Sequence, residues 1–180
     1  MDEITDQLKA WSKGDPKALD RLIPLVDREL KKIAHKYMRN ERPEHILQTT
    51  ALVNEALIKM IQENISLENR KQFYVLVAKR MRQVLFDYAK KQLAAKREWG
   101  EQVDIAEVKD PCSEKSRELI RLEQALVELA QTDERKATIV ECRFFIGLTL
   151  PEIAELLSIA PSTVDREWRF TRAWLKRELT

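Results

Sequence analysis

The chain has 180 residues, enough for one or two domains, and a formal net charge of only +2, so it is no bulk polycation. With 3 Gly and 6 Pro against 34% charged and 44% hydrophobic residues, it suits helices with packed cores and excludes global disorder. No apolar run approaches the ~20 residues of a membrane span, and the acidic, amphipathic start MDEITDQLKAW is not a signal peptide.

A first helical domain is expected over residues 1–97. Ile4, Leu8 and Trp11 fit a short opening helix. Asp15-Pro16 reads as an N-cap followed by proline at the first helical position. An apolar stripe of Leu19, Leu22, Ile23, Val26, Leu30, Ile33, Ala34 and Tyr37 then runs to about Met38. Pro24 falls inside it and marks a kink or a later true start. Asn40 to Leu47 reads as a loop. Thr49 or Thr50 can cap a third helix that turns Leu52, Val53, Ala56, Leu57 and Met60 inward. Gln62 to Asn69 reads as a polar loop, and Arg70 to about Arg97 as one long helix of about 40 Å at 1.5 Å per residue.

Residues 98–113 read as an acidic flexible linker. Gly100, Pro111, Glu101, Asp104, Glu107 and Asp110 stand there without a sustained apolar period, which suits a tether. The second domain, 114–180, opens with a helix to Leu129 and another from Asp133 to Phe145 that Gly147 terminates. Its end, 148–179, is the most informative stretch and reads as a helix-turn-helix. Thr149 and Glu152 have capping-box spacing, and Ile153, Leu156 and Leu157 make a stripe before a break at Ser158 to Pro161. Val164, Trp168, Thr171 and Leu175 share one face of the second helix, while Arg166, Arg169, Arg172, Lys176 and Arg177 lie mostly off it. The expected fold class is all-α: two small helical domains joined by a linker, the second ending in a helix-turn-helix.

Cys112 and Cys142 are the only cysteines, which fits a reducing cytosol and a cytoplasmic protein. His35 and His45 show no ligand spacing with them, so no metal and no cofactor is expected. No phosphate-binding glycine loop or nucleophile with a placed base argues for an enzyme.

A helix held by its apolar side with arginines outside suits a DNA major groove, where guanidinium forks reach guanine edges and phosphates. A plain two-helix hairpin with a solvated face is the competing reading. The long helix is a second basic element. It carries Arg70, Lys71, Lys79, Arg80, Arg82, Lys90, Lys91, Lys96 and Arg97, against Asp87 and Glu98. Basic residues neutralise phosphates and release counterions. Phe73 and Tyr74 beside them can stack on unpaired bases or serve as ordinary core.

Taken in this order, the segments resemble a bacterial RNA polymerase sigma factor of the extracytoplasmic-function (ECF) subfamily, in the sigma-70 family. TALVNEALIKMI (50–61) is similar to the family's core-polymerase-binding helix. NRKQFYVLVAKRMRQVLFDYAKK (69–91) is similar to its promoter-melting and −10-reading helix, and the C-terminal stretch to its −35-reading helix-turn-helix. The resemblance covers nearly the whole chain. It implies a subunit that binds core RNA polymerase at the clamp helices and flap, recognises promoter DNA, directs transcription initiation and leaves room for an anti-sigma factor. Leu52, Val53, Glu55 and Lys59 would grip the clamp helices, with Leu52 and Val53 open to a core role instead. The loop Gln62 to Asn69, with Asn64 in it, would hold a flipped non-template base of the −10 element. Phe73 stands where the family has an aromatic near the melted strand, and Arg70, Lys71, Lys79, Arg80 and Arg82 would contact the backbone. Ser162, Thr163, Asp165, Arg166, Arg169 and Arg172 would meet the −35 duplex.

The chain departs from the family pattern at Asn54 and Ala56 of the polymerase-binding motif. Ser158 stands where the turn usually has glycine, a position that often takes positive φ. Ala160 replaces the usual serine cap, forfeiting about 1 kcal/mol. Asp165 stands where a base is usual; an acid repels phosphate but can accept from cytosine N4. The alternative function is a stand-alone helix-turn-helix regulator with residues 1–97 as a partner-binding module.

Overall fold

Asp15 and Pro16 start α2 (Pro16–Tyr37) as the sequence predicts, the Asp15 carboxylate accepting the Lys17 N–H at 3.0 Å. The computed structural model describes residues 2–38, 46–63, 65–98 and 111–180. A short α1 (Glu3–Ser12) precedes α2 and buries Leu8. Pro24 sits inside α2 without ending it. An interior proline costs roughly 3 kcal/mol, and burial of Leu22, Val26, Leu30, Ile33 and Ala34 along one face offsets it.

Helix α3 (Ile46–Gln62) begins ahead of the cap expected at Thr49 or Thr50. Nothing between Ile46 and Thr50 breaks a helix, and the Thr49 hydroxyl meets Met38 Sδ at 3.9 Å. The predicted polar loop after α3 has an apolar anchor. Leu67 is buried, and its N–H donates to Ser12 Oγ at 3.1 Å. Asn69 then caps α4 (Arg70–Glu98), its side-chain oxygen accepting the Gln72 N–H at 3.0 Å.

The middle of the expected linker, 99–110, lies outside the described residues, but both its ends are helical. Glu98 closes α4 and Pro111 opens α5 (Pro111–Thr132). Asp133 caps α6 (Glu134–Val140) by accepting the Lys136 N–H at 3.1 Å. The expected continuous helix to Phe145 instead widens into a π-helical turn, Glu141–Ile146. Gly147 ends it at φ 84°, a left-handed conformation that glycine adopts without strain. Helices α7 (Leu150–Leu157) and α8 (Pro161–Leu179) complete an architecture in which all regular structure among the described residues is helical.

Each half has its own core. Leu22, Leu30, Met60, Phe73 and Met81 centre the first, and Leu126, Val140, Phe145 and Leu175 the second. The halves also exchange side chains. Tyr37 packs into the second core, Ile146 against the first, and Val75 of α4 joins Ile139, Cys142, Ile153 and Val164.

Candidate nucleic-acid interface

The α7–α8 unit is fixed by short-range chemistry. Thr149 and Glu152 form the reciprocal capping box, with Thr149 N–H donating to Glu152 at 2.8 Å. These bonds hold the Glu152 carboxyl below its usual range. Ser158 takes φ 53°, ψ 44°, the left-handed turn anticipated for this position. Ala160 stands at the N-cap of α8 and provides no side-chain cap.

Behind α8, Val164, Thr171 and Leu175 are buried, as their spacing predicts. Glu167 joins that inner face. It is buried and accepts hydrogen bonds from Nε, at 3.0 Å, and Nη2 of the Arg135 guanidinium. Nothing in the local pattern set Glu167 apart; its partner lies 32 residues away on α6. Outside, Ser162, Arg166, Arg169 and Arg172 are exposed, and Thr163 and Asp165 half-buried. Asp165 pairs with Arg169 at 2.9 Å across one helical turn. Three exposed guanidinium groups thus project from a helix pinned from behind, a geometry able to reach base edges and phosphates.

The basic residues of α4 are arranged differently. Phe73 is fully buried, edge-on to Tyr74 at 5.5 Å. Tyr74 is also buried, and desolvation pushes its hydroxyl above the usual 10.0. As folded, neither ring presents a free stacking face. Arg70 reaches Asp2 at 3.3 Å, Lys71 pairs with Glu155 and Arg80 with Glu63. Lys79 is half-buried. Arg82 is buried between Glu123 and Glu141. Asn64 lies outside the described residues.

On α3, Leu52 and Val53 belong to the first core, whereas Glu55 is exposed. Lys59 pairs with Asp87 of α4 at 2.9 Å. Beside Glu55 the outer face carries Ile58, 54% exposed, and Ile61, 38% exposed. The polar remainder of that face is Asn54 and Gln62.

A family model described as ECF sigma factor matches residues 1–180, the whole chain. The chain belongs to the ECF sigma factor family. It is a sigma factor directing transcription initiation, and the family is one that binds core RNA polymerase and promoter DNA. Among curated proteins no match reaches significance. No helix among the described residues of this sigma factor is long and apolar enough to cross a membrane. No group of three or more metal-ligating side chains occurs among them. Ile58 and Ile61 are surface features that sequence reasoning passed over. The available signal was that both fall outside the inward set Leu52, Val53, Ala56, Leu57 and Met60.

Proposed function

We propose that this sigma factor docks on core RNA polymerase through the outer face of α3, reads the −35 element with α8, and engages the −10 element with the first half. The reading is carried by α8, where Arg166, Arg169 and Arg172 stand outward on a helix anchored through Val164, Glu167, Thr171 and Leu175. An exposed isoleucine pair beside Glu55 supports the α3 assignment, since apolar side chains on an otherwise polar face gain by burial against a partner.

The test is in vitro transcription with core polymerase, run beside co-elution and duplex binding. Glu55→Lys and Ile58→Glu should each weaken co-elution with core while leaving helicity intact. Arg166→Ala should leave co-elution unchanged and cost about 1–3 kcal/mol in −35 duplex binding if it reads a base; a phosphate contact would instead lower the salt slope by about one. Unchanged co-elution in both α3 variants refutes the α3 surface. Unchanged duplex affinity and salt slope in Arg166→Ala refute the α8 assignment.

A further inference from the structure

A cleft of about 200 Å³ lies between α2, the start of α4 and the turn that leads into α7. Four cations line it, Lys32 and Lys36 from α2 and Arg70 and Lys71 from the first turn of α4. Its two lining acids, Glu29 and Glu152, are already engaged. Glu29 pairs with Lys32 at 2.7 Å, and Glu152 accepts from Thr149 N–H and Oγ at 2.8 and 2.7 Å. Arg70 and Lys71 lean on Asp2 and Glu155, both exposed. Ion pairs of that kind are weak and yield to a better-placed anion. Ile33, Ile146 and Leu148 supply an apolar wall. Tyr74 also lines the cleft; it is 8% exposed, and among the described residues its hydroxyl has no hydrogen-bond partner.

We propose that this cleft binds a phosphate dianion, as inorganic phosphate or on a small phosphorylated metabolite, with Lys36, Arg70 and Lys71 neutralising its charge and the Tyr74 hydroxyl donating to one of its oxygens. A buried hydroxyl that donates to nothing is uncommon, and a ligand oxygen in the cleft answers it. Desolvation holds that hydroxyl in its protonated, donating form. The Arg70 guanidinium is close enough to act on its ionisation, so a charge and a donor meet at one point. Lys36 is set in place by backbone. Its Nζ donates to the Ile146 carbonyl at 3.0 Å, and a Cβ on Gly147 would come within 2.5 Å of it. The carbonyl is a neutral acceptor and takes one of the three ammonium donors, which leaves the charge and two donors for a ligand.

Charge and size select the ligand class. Near neutral pH a phosphomonoester carries a charge of about −1.5 to −2 on three acceptor oxygens, which matches several cations and a hydroxyl at once. A carboxylate brings one charge and two oxygens. The cleft is smaller than the roughly 300–1,000 Å³ of sites that enclose drug-sized ligands, so it holds the phosphate and little more. The body of a larger metabolite would project into solvent. A phosphodiester in DNA carries one charge and is flanked by sugars on both sides, a poorer match to a recessed tyrosine hydroxyl than a terminal phosphate is. The apolar wall strengthens the field of the cations at the ligand. This site is independent of the promoter reading given above.

The experiment is isothermal titration calorimetry of the full-length chain with sodium phosphate at constant ionic strength, repeated with glycerol 3-phosphate and with sodium chloride. Phosphate should bind saturably with a dissociation constant below about 10 mM, and the melting temperature should rise with its concentration. Chloride should do neither. Tyr74→Phe keeps the buried ring and removes only the donor, and Lys36→Met keeps most of the side-chain length and removes the charge. Each should weaken phosphate binding by about tenfold. Tyr74→Phe should melt no lower than the wild type when phosphate is left out, which shows that its fold is intact. Lys31→Met removes an exposed cation of α2 outside the cleft and should leave the affinity unchanged. Tighter binding of glycerol 3-phosphate than of phosphate upholds the site and assigns it to a metabolite; equal or weaker binding upholds it for inorganic phosphate. No saturable binding of either probe overturns the proposal. So does equal affinity in wild type, Tyr74→Phe and Lys36→Met, or an equal loss in Lys31→Met. Displacement of phosphate by a promoter duplex without terminal phosphates overturns it too, and gives the cleft to the DNA backbone.

Discussion

Replacing Phe73 separates a core role from a base-contacting one. The ring is fully buried at the first turns of α4 and packs edge-on against Tyr74. Truncating a fully buried phenylalanine to alanine costs about 3–5 kcal/mol, the sum of lost transfer energy and the cavity left behind. At about 2–4 °C per kcal/mol for a chain of this size, Phe73→Ala should lower the melting temperature by about 10 °C. Phe73→Leu refills most of the space and should cost only about 1–2 kcal/mol. Urea titration followed by far-UV circular dichroism gives both values. Permanganate footprinting of a promoter bound by the Phe73→Leu holoenzyme then tests function at a temperature where the variant is folded. Melting should be normal. A loss below about 1 kcal/mol in Phe73→Ala would show that the ring is not a core element. Failed melting by a stable Phe73→Leu protein would show that the ring meets a base after a rearrangement of α4.

Ser158→Gly should stabilise the protein by about 0.5–1 kcal/mol, because a left-handed non-glycine residue is strained and the added unfolded-state freedom only partly offsets the relief; a calorimetric midpoint that falls would contradict the assigned φ of 53°. Ala160→Ser should add about 1 kcal/mol by supplying the missing cap of α8, with no gain if the N-cap lies elsewhere. Asp133 is held below its usual 3.8 by the Lys136 ammonium first and by the Lys136 N–H as well. Its contribution is therefore complete above pH 3.8 and is lost as pH falls through the lower folded value, and Asp133→Asn should flatten the acid limb of a urea-midpoint-against-pH curve. Burial, with Glu141 adding to it, pushes the Cys142 thiol up to about 12. In a Cys112→Ser background, iodoacetamide at about pH 8 should leave native protein unmodified and label it after unfolding in urea; rapid native labelling would place the thiol at the surface.

The elements the sequence located well are those set by neighbours in the chain. Asp15-Pro16, the Thr149–Glu152 box and the Ser158 turn each depend on bonds spanning at most a few residues, and each appears in the structure where its residues stand. The inner face of α8 was legible for a related reason. That helix packs on one side, so Val164, Thr171 and Leu175 repeat at helical spacing and the arginines fall opposite. The π-helical turn was not legible, because ECRFFI continues the helical pattern until Gly147 and nothing local calls for the wider turn.

Helix α4 shows why the partners of its basic residues could not be read from the sequence. It is packed on two sides: Phe73, Val77 and Met81 face the first core, while Val75 joins residues of the second half. A helix buried on two faces has no clean polar side, and its apolar period blurs. Its cations can be counted in the sequence but not assigned to partners there. Where Arg70, Lys71, Arg80 and Arg82 end is decided by carboxylates on other elements. Arg82 meets Glu123 and Glu141, 41 and 59 residues onward, and no local window holds that information. The same reasoning makes the burial of Arg82 informative. An arginine is among the costliest side chains to bury, and it is tolerated here because two acids from the second half are waiting for it. Arg82→Lys tests this account of the burial: an ammonium keeps the charge but cannot fork to both carboxylates, so the variant should unfold at lower urea than the wild type, and an unchanged midpoint would refute it.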